Sequence, residues 1–292
     1  MGDPIFGDSI FGDPIFQAAI LPLAAAFVLS GLLRAIGREG RGRVLAGGSI
    51  AIAFLVAYLV LLGFPDWRPV GPIDKVIYIA LGALFVGAFA DLTGMPVQIK
   101  YALILVIPLF GLAWVAEPQI RGTLDLAGVA TLVLLFAANG VATSRFTLRE
   151  GSDLTPSIYL GAGAAGLGLI GLFADANPLY HLAFSLAAST VGFALWNWPV
   201  NRFAPSATLL VGAGSILVAL AGTLVLYSGA SRVALAALVL VFFSDKFVET
   251  VRLGGGRINT ALRPLAIVGA SAVIVLASAA LGFFIGAATE PF

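Results

Sequence analysis

The chain contains no cysteine and one histidine, and only 11% of its 292 residues are charged. The missing thiols exclude disulfides, thiolate metal sites and cysteine nucleophiles. A single histidine, His181, leaves little scope for imidazole chemistry. So few charges cannot supply the polar shell that a water-soluble domain of this length requires. A net charge of +1 argues against a nucleic-acid partner. The period-two alternation of a membrane β-barrel is also missing, so any spans are expected to be helical.

What the sequence has in abundance is apolar surface. Hydrophobic residues make up 60% of the chain and the mean hydropathy is +1.05. They fall in runs near 15–35, 44–63, 74–90, 98–116, 123–142, 156–174, 178–197, 207–227, 231–250 and 263–287. Lengths of 17 to 25 residues suit a helix crossing the ~30 Å hydrocarbon core. The expected fold class is therefore all-α, a polytopic integral membrane protein of about ten transmembrane helices, with residues 17–292 forming one transmembrane domain.

Ten spans make the connections alternate sides, and the Lys and Arg residues divide unevenly between them. Twelve fall on one side (Arg34, Arg38, Arg41, Arg43, Lys100, Arg145, Arg149, Arg202, Lys246, Arg252, Arg257, Arg263) and four on the other (Arg68, Lys75, Arg121, Arg232). The positive-inside rule makes the twelve-residue side cytoplasmic, with both termini outside, as in a bacterial inner membrane protein. His181 then lies at the external end of the seventh span.

Residues 1–16 repeat Gly-Asp-x-Ile-Phe three times, ending at Phe6, Phe11 and Phe16. The segment lacks the positive start of a secretory signal and is expected to be retained outside the membrane. Five residues is not a helical period: successive Phe side chains would step ~140° around an α-helix and share no face. An interfacial strip fits this pattern, with Phe in the headgroups and Asp3, Asp8 and Asp13 in water. So does a docking strip, in which Phe6, Phe11 and Phe16 contact a membrane protein partner or a second copy of the chain.

Function in a membrane protein gathers where polar or irregular segments meet the bundle interior. Four cytoplasmic stretches qualify: Arg41 to Ile52 with Gly47-Gly48; Ala90-Asp91 through Pro96-Val97 to Lys100; Asn139 to Asp153; and Trp196-Asn197-Trp198-Pro199 to Arg202, with Leu210 to Ser215. In this order they resemble the polyprenyl-phosphate sugar-1-phosphate transferases, which include phospho-MurNAc-pentapeptide translocase and the GlcNAc-1-phosphate transferases. Gly47-Gly48-Ser-Ile-Ala-Ile resembles the family's Gly-Gly-x-Ala-Ile helix opening. Ala90-Asp91 to Lys100 resembles its Asp-Asp-x-x-x-x-Pro-Val-x-x-Lys/Arg loop. Ala138-Asn139-Gly-Val sits where the family has Asn-Ala-x-Asn, and Trp196 to Arg202 resembles its Phe-Asn-x-Pro with a downstream base. Leu210 to Ser215 resembles Gly-Asp-x-Gly-Ser.

The resemblance implies magnesium-assisted transfer of a sugar phosphate to polyprenyl phosphate, with carboxylates holding the hard cation. Those carboxylates are largely replaced. Ala90 stands for the first Asp, Arg145 falls near an expected ligand, and Gly212 stands for the Asp of Gly-Asp-x-Gly-Ser. Only Asp91 of the paired-Asp motif survives, and no metal or other cofactor is expected. Lys100, Arg145, Arg149 and Arg202 remain as candidate ligands of a lipid phosphate or other anion. Asp245 and Glu249, one helical turn apart, are expected to form an interfacial charge cluster.

The leading expectation is a catalytically inactive relative of these transferases, a lipid-binding or structural subunit of a membrane assembly. Its expected partners are membrane lipids, polyprenyl phosphate being the one the resemblance implies. A second is an active, divergent phosphoglycosyl transferase that pairs Asp91 with Asp153 or Asp245 and uses Mg²⁺. A third is a lipid-handling or transport protein, which no inverted repeat or midplane acid supports.

Overall fold

The computed structural model describes residues 13–122, 126–146, 148, 154–249 and 257–289, the side chains of 38, 39, 257–261 and 286–289 excepted. Among them there is no strand. A π-helical turn, Phe16–Ile20, leads into α1 (Leu21–Leu45), followed by α2 (Gly48–Leu62), α3 (Pro72–Leu92), α4 (Val97–Arg121) and α5 (Leu126–Arg145). The second half holds α6 (Thr155–Phe173), α7 (Leu179–Trp196), α8 (Ala207–Tyr227), α9 (Arg232–Leu238), α10 (Ser244–Glu249) and α11 (Arg257–Thr289).

Local chemistry sets several of these limits. Pro72 and Pro156 sit in the first turns of α3 and α6, where no intrahelical N–H is lost. Ser206 and Ser231 cap α8 and α9 by accepting from Leu209 N and Ala234 N. Gly94, at φ +66°, makes the tight turn between α3 and α4.

Eight of the described helices are long and apolar enough to cross a membrane. The second and ninth apolar runs are helical but take other forms. α2 has 15 residues, which rise roughly 22 Å, and nine of them are buried in protein. The ninth run is broken: α9 stops at Leu238, Val239–Phe243 tightens into a 3₁₀ segment, and α10 resumes at Ser244. Composition alone hides such a break, because every residue from Val233 to Phe243 is apolar.

α8 is the central post, with 83% of its span buried. Its first turn is closely approached by the start of α2 and by α3. A Cβ added at Gly47 would fall 2.6 Å from Leu209 Cβ, and one at Gly48 would fall 3.0 Å from Thr208 Cγ2. On α3, a Cβ at Gly87 would lie 2.8 Å from the Ala207 carbonyl oxygen and Thr208 Cα. Gly87 and Asp91 are four residues apart on one face of α3, so both meet the start of α8.

Because backbone atoms cannot yield as a flexible side chain does, Gly87→Ala is expected to destabilise by ~1–3 kcal/mol through overpacking. Gly82→Ala, where nothing lies within 4 Å of the added methyl, should be neutral or slightly stabilising. Thermal unfolding of the two variants in detergent checks this; equal midpoints would contradict the close approach.

Candidate functional site

The functional residues predicted at the second polar stretch are organised around the start of α8. Asp91, in the last turn of α3, sends Oδ2 to accept from both the backbone N–H and the hydroxyl of Thr208, each at 2.7 Å. Its Oδ1 accepts from Lys100 Nζ at 2.7 Å. The carboxylate is 1% exposed and the ammonium 18%. A carboxylate this buried needs compensation, and here it has a cation, two further donors and the positive end of the α8 dipole.

The connection before α8 is tied by a second buried polar group. Asn197 Oδ1 accepts from Arg202 N at 2.9 Å and Phe203 N at 2.7 Å, which folds residues 197–203 into a compact loop. Trp196 Nε1 donates to the Phe27 carbonyl at 2.8 Å, and the Arg202 guanidinium lies 5.7 Å from the Trp196 ring centre. Asn197 thus shapes the loop and holds Arg202 at its edge.

Between these two knots lies a cavity of about 570 Å³, within the range of ordinary ligand pockets. Arg43, Asp91, Lys100, Asn201, Arg202 and Ser206 contribute its polar wall. Among the described lining residues Asp91 is the only carboxylate, and it is already bound. Three basic side chains, Arg43, Lys100 and Arg202, stand against it. Neither Arg43 nor Arg202 has a carboxylate partner among the described residues. Such a wall attracts anions, phosphates in particular.

The expected anion set is therefore divided. Lys100 and Arg202 share the cavity. Arg145 does not: its terminal nitrogen lies 2.6 Å from both oxygens of Asp245, and its Nε donates to the Phe242 carbonyl at 3.0 Å. The fully buried Tyr159 hydroxyl lies beside this pair without a formed hydrogen bond. Arg149 lies outside the described residues, as do Phe6 and Phe11; Phe16 opens the π-helical turn before α1. The expected Asp245–Glu249 cluster is corrected as well: Asp245 turns inward to Arg145, while Glu249 pairs with Lys246 at 2.8 Å. Two acids at i, i+4 repel, and the arginine 100 residues earlier draws Asp245 inward.

Ser206 and Thr208 are the site residues that sequence reading left out. Arg43 and Asn201 fell inside two of the four polar stretches without being singled out as ligands. The signal for Thr208 was its place just behind Ser206, a capping serine at a helix start.

These residues do not fit a magnesium ion. Ala90 is fully buried among apolar neighbours, a Cβ at Gly212 would meet Ala51 Cβ at 3.4 Å, and Arg145 carries the wrong charge. Among the described residues no three His, Cys, Asp or Glu side chains gather as a metal site requires. No protein-family model matches the chain, and no curated protein matches it either. The transferase resemblance rests on the motifs alone.

If Asp91 anchors the start of α8, Asp91→Ala leaves Lys100 half-buried without its anion and Thr208 N–H without an acceptor. The expected loss is about 3 kcal/mol, read as a lower thermal midpoint in detergent. An unchanged midpoint would show that the carboxylate is dispensable to the fold.

Proposed function

We propose that the chain is an integral membrane protein that binds an anionic headgroup, a lipid phosphate, in the cavity at the start of α8, and that it does not transfer sugar phosphates. The observation that carries this reading is the wall itself: Arg43, Lys100 and Arg202 face the cavity, while the only carboxylate among its described residues is held by Thr208 and Lys100. A transferase of this kind needs free carboxylates to hold Mg²⁺. Asp91 and Asp245 are each held by different partners at a separate place, and Asp153 lies outside the described residues.

In this reading ten segments alternate across a bacterial inner membrane with both termini outside, α2 and the broken α9–α10 segment acting as the two short members. The twelve-to-four division of Lys and Arg supports that orientation. The chain then serves as a lipid-binding subunit of a membrane assembly. The Phe6, Phe11 and Phe16 repeat meets the partner, or a second copy, at the outer surface.

Two measurements test this. Purified protein is expected to retain phosphatidic acid or polyprenyl phosphate over a neutral lipid. The combined Arg43→Gln and Arg202→Gln substitutions should weaken retention by about 2 kcal/mol, with high salt acting in the same direction. Retention that ignores both changes would remove the anion site. Mg²⁺-dependent transfer of a sugar phosphate that Asp91→Asn abolishes would establish the divergent enzyme instead.

For orientation, a cysteine at Gly7→Cys is expected to react with an impermeant thiol reagent in intact cells. One at Gly40→Cys should react only after the membrane is opened. The reverse pattern would invert the topology.

A further inference from the structure

The bundle carries a second large cavity, and its lining differs from that of the first. α6 and α7 present small side chains there, Ala162, Ala165, Ala187 and Ala194 among them, and α11 closes the far side with residues from Pro264 to Leu276. The groove between them has a volume of about 600 Å³ and is almost wholly apolar. Its α11 wall runs roughly 18 Å at the helical rise of 1.5 Å per residue, more than half of a ~30 Å hydrocarbon core.

The groove and the cationic cavity meet at a neck. A small space of about 10 Å³ shares Leu154 and Ser157 with the groove and Asn201, Phe203 and Pro205 with the cavity. Phe203 plugs it: the side chain is buried, stacked 5.7 Å from Phe193 and tilted against Trp196 at 6.1 Å. The ring is packed in the hydrophobic core, with the Arg34 guanidinium 5.6 Å from its centre, so moving it aside trades apolar contacts and breaks no hydrogen bond.

We propose that the cavity and the groove form one site for a single amphipathic ligand, a phosphate-headed lipid. Its head rests against Arg43, Lys100 and Arg202, and one long hydrocarbon chain lies in the α6–α7–α11 groove, admitted when Phe203 moves. The proposal rests on the anion site described under Proposed function. Charge complementarity at one end and an apolar trough at the other, joined through shared walls, select this occupant. A soluble anion has no use for the trough, and a partner helix has no use for the cations.

The test uses the full chain in detergent and two probes, phosphatidic acid with two six-carbon chains and phosphatidic acid with two oleoyl chains, with binding read by native mass spectrometry. Ala165→Phe and Ala187→Phe each fill the groove at a partly exposed position, so the fold is expected to tolerate them; thermal midpoints verify this. Each should weaken the long-chain probe roughly tenfold, equivalent to losing about two buried methylenes, and change the short-chain probe by less than about twofold. Arg43→Gln with Arg202→Gln should weaken both probes. Groove variants that leave long-chain binding intact while the arginine variants abolish it would overturn the head-and-chain site and leave the anion site standing. Arginine variants without effect on either probe would overturn the anion site and this proposal with it. A change in oligomeric mass on filling the groove, with lipid binding unaltered, would assign the trough to a second copy of the chain and also overturn the proposal.

Discussion

The buried carboxylate of Asp91 is the interaction on which the arrangement of this end of the molecule depends. It sits in the last turn of α3, where the helix dipole disfavours an anion, and is stabilised by what the neighbouring elements bring to it. Thr208 offers two donors at the start of α8, and Lys100 returns a cation from the first turn of α4. One side chain therefore connects three helices. Gly87, one turn earlier, lets α3 approach the α8 backbone closely enough for these bonds to form. The close approach and the ion pair support each other: without the glycine the carboxylate could not reach Thr208, and without the carboxylate two donors would be left in a nearly dry place.

The electrostatics of the cavity follow from that arrangement. Because Asp91 is spent on the fold, it contributes little free negative charge to the wall, and the arginines at its rim set the sign. This is how a loop resembling a catalytic motif can present a basic wall among the described residues. The same substitution of basic for acidic character recurs at Arg145, but with a structural outcome. There the guanidinium neutralises Asp245 and takes the Phe242 carbonyl, a backbone acceptor inside the 3₁₀ interruption of the ninth segment. A break in an apolar helix exposes carbonyls that lipid cannot satisfy, and Arg145 supplies a donor from α5.

A related device stabilises α4. Pro108 has no N–H to offer the carbonyl one turn earlier, and Asn139 of α5 donates to the adjoining Leu105 carbonyl at 2.9 Å. Asn139 and Arg145 are the polar residues of α5 that reach across to irregular backbone in its neighbours. In both, a polar side chain of α5 is used to satisfy a main-chain carbonyl of a neighbouring element.

Sequence by itself determined that the chain is helical, that most of its length can cross a membrane, and that Asp91, Lys100 and Arg202 belong to the same end of the bundle. Run length, composition and the bias of Lys and Arg are one-dimensional quantities, so they survive without coordinates. What sequence could not determine is which charges are spent. Whether Arg145 is free or tied to Asp245 depends on a pairing across 100 residues, and whether Asp91 is a reactive acid or a helix anchor depends on where Thr208 falls. The breaks in the ninth segment and the shortness of α2 are likewise invisible in an apolar run. Only the tertiary structure decided these, because the cost of burying a charge is offset by whichever partner the fold brings within ~3 Å, and sequence separation says nothing of that distance.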